Sequence, residues 1–230
     1  MKLSSLSILI PAYKDEKTIS AVVNRAILVG RTYAKKFEII ILNDASPDHI
    51  ANVLNGLKRT IPNIRVITHK KNQGYGGTLK DLYGAGTYEW LFTTPGDYQM
   101  DPMEIKKLIS YTNRADMIIG WRRDRFDTQA RKRQSFIYNS LLRVLYGLRL
   151  HDINSVRLMR RRVMEGRRIT STSAFVDAEL TIGAIRDGYV VMETPIAHRA
   201  RETTGASGGK ISVILPVIID MFRYKLRNLI

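Results

Sequence analysis

Apolar residues in the first half of the chain come in short runs, separated by longer stretches with one apolar face. The runs fall at residues 6–10, 37–42, 64–68, 90–93 and 117–119. They are rich in Ile and Leu and bounded by Pro, Gly, Asn or Asp. Runs of this kind predict buried strands. Between them, residues 18–34, 49–58, 77–83 and 102–112 carry helical spacing. Strands alternating with helices predict right-handed βαβ units, and so an α/β fold: a mostly parallel, doubly wound sheet with helices on both faces. The second half is less regular. It predicts a helix at 128–148 with an apolar face through Ile137, Leu141, Val144, Leu145 and Leu148, a helix at 173–187 and a strand at 189–193. Near the end, residues 211–230 hold an apolar core followed by Arg223, Lys225 and Arg227. That core is about a dozen residues long, below the ~20 needed to span a bilayer. It fits an interfacial helix on an anionic membrane, and equally a helix packed on the domain or in an oligomer.

Ligands in doubly wound sheets bind beyond the carboxyl ends of the strands, so the loops there carry the candidate chemistry. They read Pro11-Ala-Tyr-Lys-Asp-Glu16, Asn43-Asp-Ala-Ser-Pro-Asp48, Lys70-Lys-Asn-Gln-Gly-Tyr-Gly-Gly77 and Thr94-Pro-Gly-Asp-Tyr-Gln-Met-Asp-Pro102. Any one of them reads as a turn with a helix cap, since Asp, Asn and Ser favour N-caps and Pro the first helical turn. Four acidic or glycine-rich loops at one sheet edge outline a site. Asp97, with Gln99 two residues on, offers the oxygen ligands that Mg2+ or Mn2+ prefers, and such an ion stabilises a departing diphosphate. Asp44 and Asp48 are candidates for a base or ribose, and Asn72, Gly74 and Gly77 for close backbone approach of a nucleotide. The Gly-Tyr-Gly-Gly run is neither a Walker loop nor a dinucleotide fingerprint.

Charge adds an anionic partner to this picture. The 230 residues include 37 Lys and Arg against 21 Asp and Glu, a net charge of +16. A field of that sign attracts nucleic acid, anionic lipid or phosphorylated substrates. No nucleic-acid recognition motif accompanies it, so nucleic acid is a minor alternative and is not an expected partner. The clusters Trp121-Arg-Arg-Asp-Arg125, Arg131-Lys-Arg133 and His198-Arg-Ala-Arg201 suit phosphate instead, arginine being the bidentate phosphate ligand. The chain has no cysteine, which excludes disulfides and cysteine-bound zinc and favours a reducing compartment. The apolar run at 6–10 is too short for a signal peptide.

Seven segments, in order, resemble motifs of the inverting family 2 glycosyltransferases, and among them the polyprenyl-phosphate sugar synthases of the dolichyl-phosphate mannose synthase type. They are Ser7-Ile-Leu-Ile-Pro-Ala-Tyr13, Leu42-Asn-Asp-Ala-Ser-Pro-Asp48, Asn72-Gln-Gly-Tyr-Gly-Gly77, Gly96-Asp-Tyr-Gln-Met-Asp-Pro102, His151-Asp-Ile-Asn-Ser-Val-Arg-Leu158, Phe175-Val-Asp-Ala-Glu-Leu180 and His198-Arg-Ala-Arg201 running on to Lys210. The likeness covers residues 6–212. Two positions depart from the pattern: Pro95 stands where the first aspartate of the metal motif is expected, and Lys14-Asp15 replaces Asn-Glu.

The resemblance implies a GT-A-like catalytic domain over 1–205, then over 206–230 a mobile loop and a helix that associates with a membrane or packs in an oligomer. It implies transfer from a UDP- or GDP-sugar to polyprenyl or dolichyl phosphate with inversion, at the cytoplasmic face of a membrane and in cell-envelope glycan synthesis. A membrane-protein partner and a homo-oligomer are both compatible with it. Asp97 and Gln99 would hold the Mg2+ or Mn2+. Pro11, Ala12, Tyr13, Asp15, Glu16, Asp44, Ser46, Asn72, Gly74, Gly77, Tyr98 and Gln99 would line the donor with Asp97. Asp97, Asp152, Arg199 and Arg201 would be catalytic. Arg122, Arg125, Arg131, Ser155, Arg157, Glu179, Ser207 and Lys210 would bind the acceptor and its phosphate. A second reading, transfer to a sugar hydroxyl, needs Asp152, Asp177 or Glu179 as general base.

Overall fold

The computed structural model describes residues 2–200 and 211–227. Arg201, Ser207 and Lys210 lie outside the described residues, and so do residues 206–210 and 228–230 of the expected 206–230 segment. Seven strands form one sheet in the order β3-β2-β1-β4-β6-β5-β7. They are β1 (Leu3–Ala12), β2 (Ala34–Asn43), β3 (Ile64–Thr68), β4 (Trp90–Thr93), β5 (Met117–Arg122), β6 (Arg157–Arg160) and β7 (Val191–Ile196). The helices are α1 (Ile19–Tyr33), α2 (Ile50–Thr60), α3 (Gly74–Ala85), α4 (Ile105–Ile109), α5 (Gln129–Tyr146), α6 (Val176–Arg186) and α7 (Ile211–Arg227).

Alternation along the strands divides the core in two, because successive side chains point to opposite faces. Leu6, Ile8 and Ile10 of β1, with Ile39 and Ile41 of β2, pack under α1, α2 and α4. Leu9, Ile40, Leu42, Leu91, Met117 and Ile119 pack on the other face against α3, α5, α6 and α7. A strand buried on both faces has no polar positions to alternate, hence the continuous apolar runs in the sequence.

The structure departs from the sequence expectations in four places. β6 was not expected, and it runs antiparallel between β4 and β5. β7 is shifted from 189–193 to Val191–Ile196 and includes Pro195; among the described residues it pairs only with β5, and an edge strand tolerates a residue without an N–H. The helix expected at 102–112 is a turn of 3-10 helix, Pro102–Glu104, followed by the five-residue α4. The glycine-rich segment is itself the first turn of α3. Gly76 is required there: a Cβ would stand 2.3 Å from Ser173 O and 2.4 Å from Thr172 O.

α7 packs on the domain through one face. Met221 is buried, the Tyr224 ring lies 5.8 Å from Phe175 and 6.0 Å from Tyr146, and Lys225 Nζ donates to Leu145 O at 2.6 Å. Among the described residues no helix is long and apolar enough to cross a membrane.

Candidate active site

The loops at the carboxyl ends of β1, β2 and β4 hold one another. Lys14 N–H donates to Ser46 Oγ at 2.8 Å, and Ser46 Oγ donates to Asp48 Oδ1 at 2.6 Å. Glu16 N–H donates to Asp48, and His49 N–H returns a bond to Glu16 Oε2 at 2.7 Å. Asp15 accepts from Tyr13 N–H. Thr18 Oγ1 donates to Gly96 O, and Gly96 N–H to Pro11 O. Lys14, Ala45 and Tyr98 adopt φ values of 60°, 49° and 57°. These are the non-glycine residues with positive φ among the described residues, and one sits on each of the three loops. Left-handed backbone at a residue with a side chain is costly and persists where the surroundings over-determine it, commonly at functional sites.

The Asn72–Gly74 turn is fastened to β2. Asp44 accepts from Gln73 N–H at 2.7 Å and from Gly74 N–H at 2.9 Å, while Asn72 Nδ2 donates to Asp44 O. Gly74 has φ +73°, and a Cβ on Gly77 would meet the Gln73 side chain at 2.8 Å. Asp44, Ser46, Asn72, Gly74 and Gly77 thus come together with Pro11, Ala12, Tyr13, Asp15 and Glu16 at one edge of the sheet.

In the loop after β4, Asp97 accepts from Gln99 N–H at 3.1 Å. Asp101 caps the 3-10 turn and is bidentate to Arg25 at 3.0 Å. Arg199 donates its N–H to Gln99 O at 2.7 Å, pairs with Asp101 at 3.0 Å and stacks over Tyr98 at 4.7 Å. Burial opposes the charge on Asp101, but Arg25, Met103 N–H and Arg199 outweigh it and hold the carboxyl below its ordinary range. Arg199, expected on phosphate, is braced against the metal-motif loop.

Across from this loop lies a cluster of arginines. Asp152 holds Arg122 by two bonds, 2.6 and 2.9 Å, and lies 4.0 Å from Arg125. Asp127, which sequence reasoning missed, holds Arg125 at 2.7 Å and Arg131 at 3.5 Å. Ser155 is buried, with Oγ 3.6 Å from Met100 Sδ. His198, also missed as an individual residue, joins the two halves: its Nδ1 accepts from Phe126 N–H at 3.2 Å, and its Nε2 lies 3.4 Å from the Gln99 amide. Burial, then the charge of Arg122, lowers the basicity of this ring. A neutral ring with Nδ1 accepting carries its proton on Nε2, which Gln99 accepts only when its amide oxygen is turned to the ring.

Two expected acceptor residues turn inward. Arg157 is fully buried, pairs with Asp177 Oδ1 at 2.8 Å and donates to Ile153 O at 2.8 Å. Glu179 accepts from the N–H groups of Thr170 and Ser171, both at 2.8 Å. A buried charge needs a partner, and these side chains supply internal ones rather than facing a ligand. Asp177 also accepts from the hydroxyls of Tyr75 and Tyr83 at 3.1 Å. Burial pushes its carboxyl up, with Arg157 and the two hydroxyls pulling back.

Among the described residues no group of three His, Cys, Asp or Glu side chains is arranged to hold a metal. Mg2+ and Mn2+ do not require one at a phosphate site, where one or two protein oxygens act with substrate phosphates and water. Asp97 and Gln99 fit that donor set.

An α/β sheet with strained acidic loops on one side and ordered arginines on the other defines a GT-A-like glycosyltransferase. Residues 7–167 match the model of glycosyl transferase family 2, and the chain belongs to that family. It is 27% identical over 236 residues to a dodecaprenyl-phosphate galacturonate synthase of Rhizobium johnstonii, covering 96% of this chain and 68% of that protein. It is 26% identical over 214 residues to an undecaprenyl-phosphate 4-deoxy-4-formamido-L-arabinose transferase of Edwardsiella ictaluri, covering 91% and 64%. The chain therefore spans about two thirds of the length of each relative. Among solved structures, glucosyl-3-phosphoglycerate synthase of Mycobacterium tuberculosis with phosphoglyceric acid superposes with a TM-score of 0.77 at 15% identity, over 96% of this chain and 80% of that one. The same enzyme with Mn2+, UDP and phosphoglyceric acid gives 0.72 at 15% identity, over 95% and 78%.

Proposed function

We propose that this glycosyltransferase moves a sugar from a UDP- or GDP-sugar to a polyprenyl phosphate, with inversion, at the cytoplasmic surface of a membrane. One observation carries the choice of acceptor. The three carboxylates that could serve a hydroxyl acceptor as base are all engaged: Asp152 by Arg122, Asp177 by Arg157 and two tyrosines, Glu179 by backbone N–H groups. A lipid phosphate is already anionic near neutral pH and needs no base. Its oxygen attacks the anomeric carbon as the bond to the β-phosphate breaks, and the nucleoside diphosphate leaves. Catalysis is then positioning and charge stabilisation. Both relatives act, by their names, with a polyprenyl phosphate, which supports the same acceptor.

In this reading the loops of Tyr13, Asp44 and Asn72 hold the nucleotide, and Asp97 and Gln99 would hold Mg2+ or Mn2+, which would supply positive charge at the diphosphate. Arg122, Arg125 and Arg131, aimed by Asp152 and Asp127, receive the acceptor phosphate. A comparison of undecaprenyl phosphate with undecaprenol, each with one donor, tests the choice. Transfer to the phosphate alone is expected. Equal transfer to the alcohol would require a free base and contradict the reading.

The membrane surface has its own support. α5 and the adjoining α7 expose Phe136 at 74%, Val144 at 81%, Phe222 at 50% and Leu226 at 64%, beside exposed Arg133, Arg143, Arg223 and Arg227. Apolar side chains among cations suit the interface of an anionic bilayer.

A further inference from the structure

His69 follows β3, just before the turn that carries Asn72 and Gly74, and no role above uses it. Its backbone N–H extends the β2–β3 ladder to Asn43 O at 3.0 Å. Its ring stands between two carboxylates, with Nδ1 2.7 Å from Asp44 Oδ1 and Nε2 3.0 Å from Asp81 Oδ2. The His69 and Asp44 side chains are 10% and 4% exposed, Asp81 55%. A carboxylate only accepts hydrogen bonds, so the ring N–H at Nδ1 donates to the buried Asp44; both nitrogens donate only when the ring carries two protons.

The acceptor positions of Asp44 can be counted. An ionised carboxylate offers about four. Oδ1 takes His69 Nδ1 and Gln73 N–H, and Oδ2 takes Gly74 N–H. Oδ1 is filled, and one position remains on Oδ2. His69 therefore decides which oxygen stays open. Without its N–H, Oδ1 keeps Gln73 N–H and Oδ2 keeps Gly74 N–H, so each oxygen has one open position and neither is singled out for a ligand. The N–H groups of Gln73 and Gly74 start α3 and are tied to the same carboxylate. Asp81 sits about two turns further along α3, so the ring also clips that helix to the end of β2.

We propose that His69 is a positioning residue for the donor nucleotide: by filling Asp44 Oδ1 through its Nδ1–H, it presents Asp44 Oδ2 to an N–H donor on the nucleobase. The inference rests on the donor reading above. The test uses the full chain and two variants that separate the ring nitrogens. His69→Asn places an amide N–H where Nδ1 stood and keeps the bond to Asp44. His69→Gln reaches the Nε2 position and keeps Asp81 instead. Binding of UDP and of GDP is measured by calorimetry, with donor KM, acceptor KM, kcat and Tm beside it. His69→Gln is expected to weaken nucleotide binding and raise donor KM about tenfold, the loss of a hydrogen bond to a charged group. Its kcat and acceptor KM are expected to be unchanged. His69→Asn is expected to stay within about threefold of wild type.

Equal losses in the two variants, or a fall in Tm with donor KM unchanged in both, would overturn the proposal, because a merely structural histidine behaves that way. If the wild-type chain binds neither UDP nor GDP, the donor reading itself falls and this inference with it. Wild-type binding with indifferent variants removes the inference alone.

Discussion

Arg157 and Asp177 show how a charged residue in a motif can serve the interior. Their pair is fully enclosed, and Tyr75, from the glycine segment, completes it. Removing one partner of a buried pair leaves the other charge uncompensated, at about 3–5 kcal/mol. Asp177→Ala is therefore expected to lose about that much in urea unfolding, and Asp177→Leu with Arg157→Met to recover most of it. A double variant no better than the single would contradict the pairing argument. The motif around Arg157 was legible in the sequence, but the direction of its side chain was not. The resemblance implies a guanidinium on the acceptor side; only the packing of α6 over β6 decides that it points inward. Asp97 and Gln99 are singled out in the sequence because the loop motif names them. Asp127, His198 and His69 were missed for the opposite reason, since each acts through partners from distant segments.

At the scale of elements, the sequence pattern was clearest where strands are buried on both faces. β1 to β5 were each found, as apolar runs among polar flanks. β6 reads Arg-Leu-Met-Arg, too short and too charged at its ends to register, although β4 and β5 pair with it on either side. Glycine is a poor helix former, so the glycine segment reads as a loop, yet it opens α3, where the 172–173 backbone leaves no room for a Cβ at Gly76. Gly76→Ala, with its Cβ 2.3 Å from Ser173 O, is expected to lower stability by about 1–3 kcal/mol through overpacking and to weaken nucleotide binding by shifting Tyr75. Wild-type stability and affinity in this variant would show that the contact yields without cost.

For the whole molecule, the +16 charge and the apolar face of α5 and α7 predict a particular binding behaviour. The chain is expected to sediment with liposomes containing anionic lipid and to do so less as salt rises, because surface attraction is screened within about 10 Å at 0.1 M salt. Replacing Phe136 and Phe222 by Ser is expected to weaken sedimentation at every salt concentration, through loss of buried apolar area. Unchanged sedimentation in that variant would assign the exposed face to something other than a bilayer. The helix at the end of the chain admitted two readings in the sequence, membrane or packing. The structure shows one face packed on the domain, and the opposite face carries the membrane proposal.

The most direct test of the central claim is transfer of labelled sugar into an organic-extractable product. Purified protein would be mixed with a panel of UDP- and GDP-sugars, undecaprenyl phosphate, and Mg2+ or Mn2+, with Asp97→Asn run in parallel. The account predicts an acid-labile, lipid-linked sugar from one donor with the wild-type chain and loss of about a hundredfold or more with Asp97→Asn. Binding of a nucleotide sugar without any lipid-linked product, or full transfer and normal metal dependence in Asp97→Asn, would contradict it.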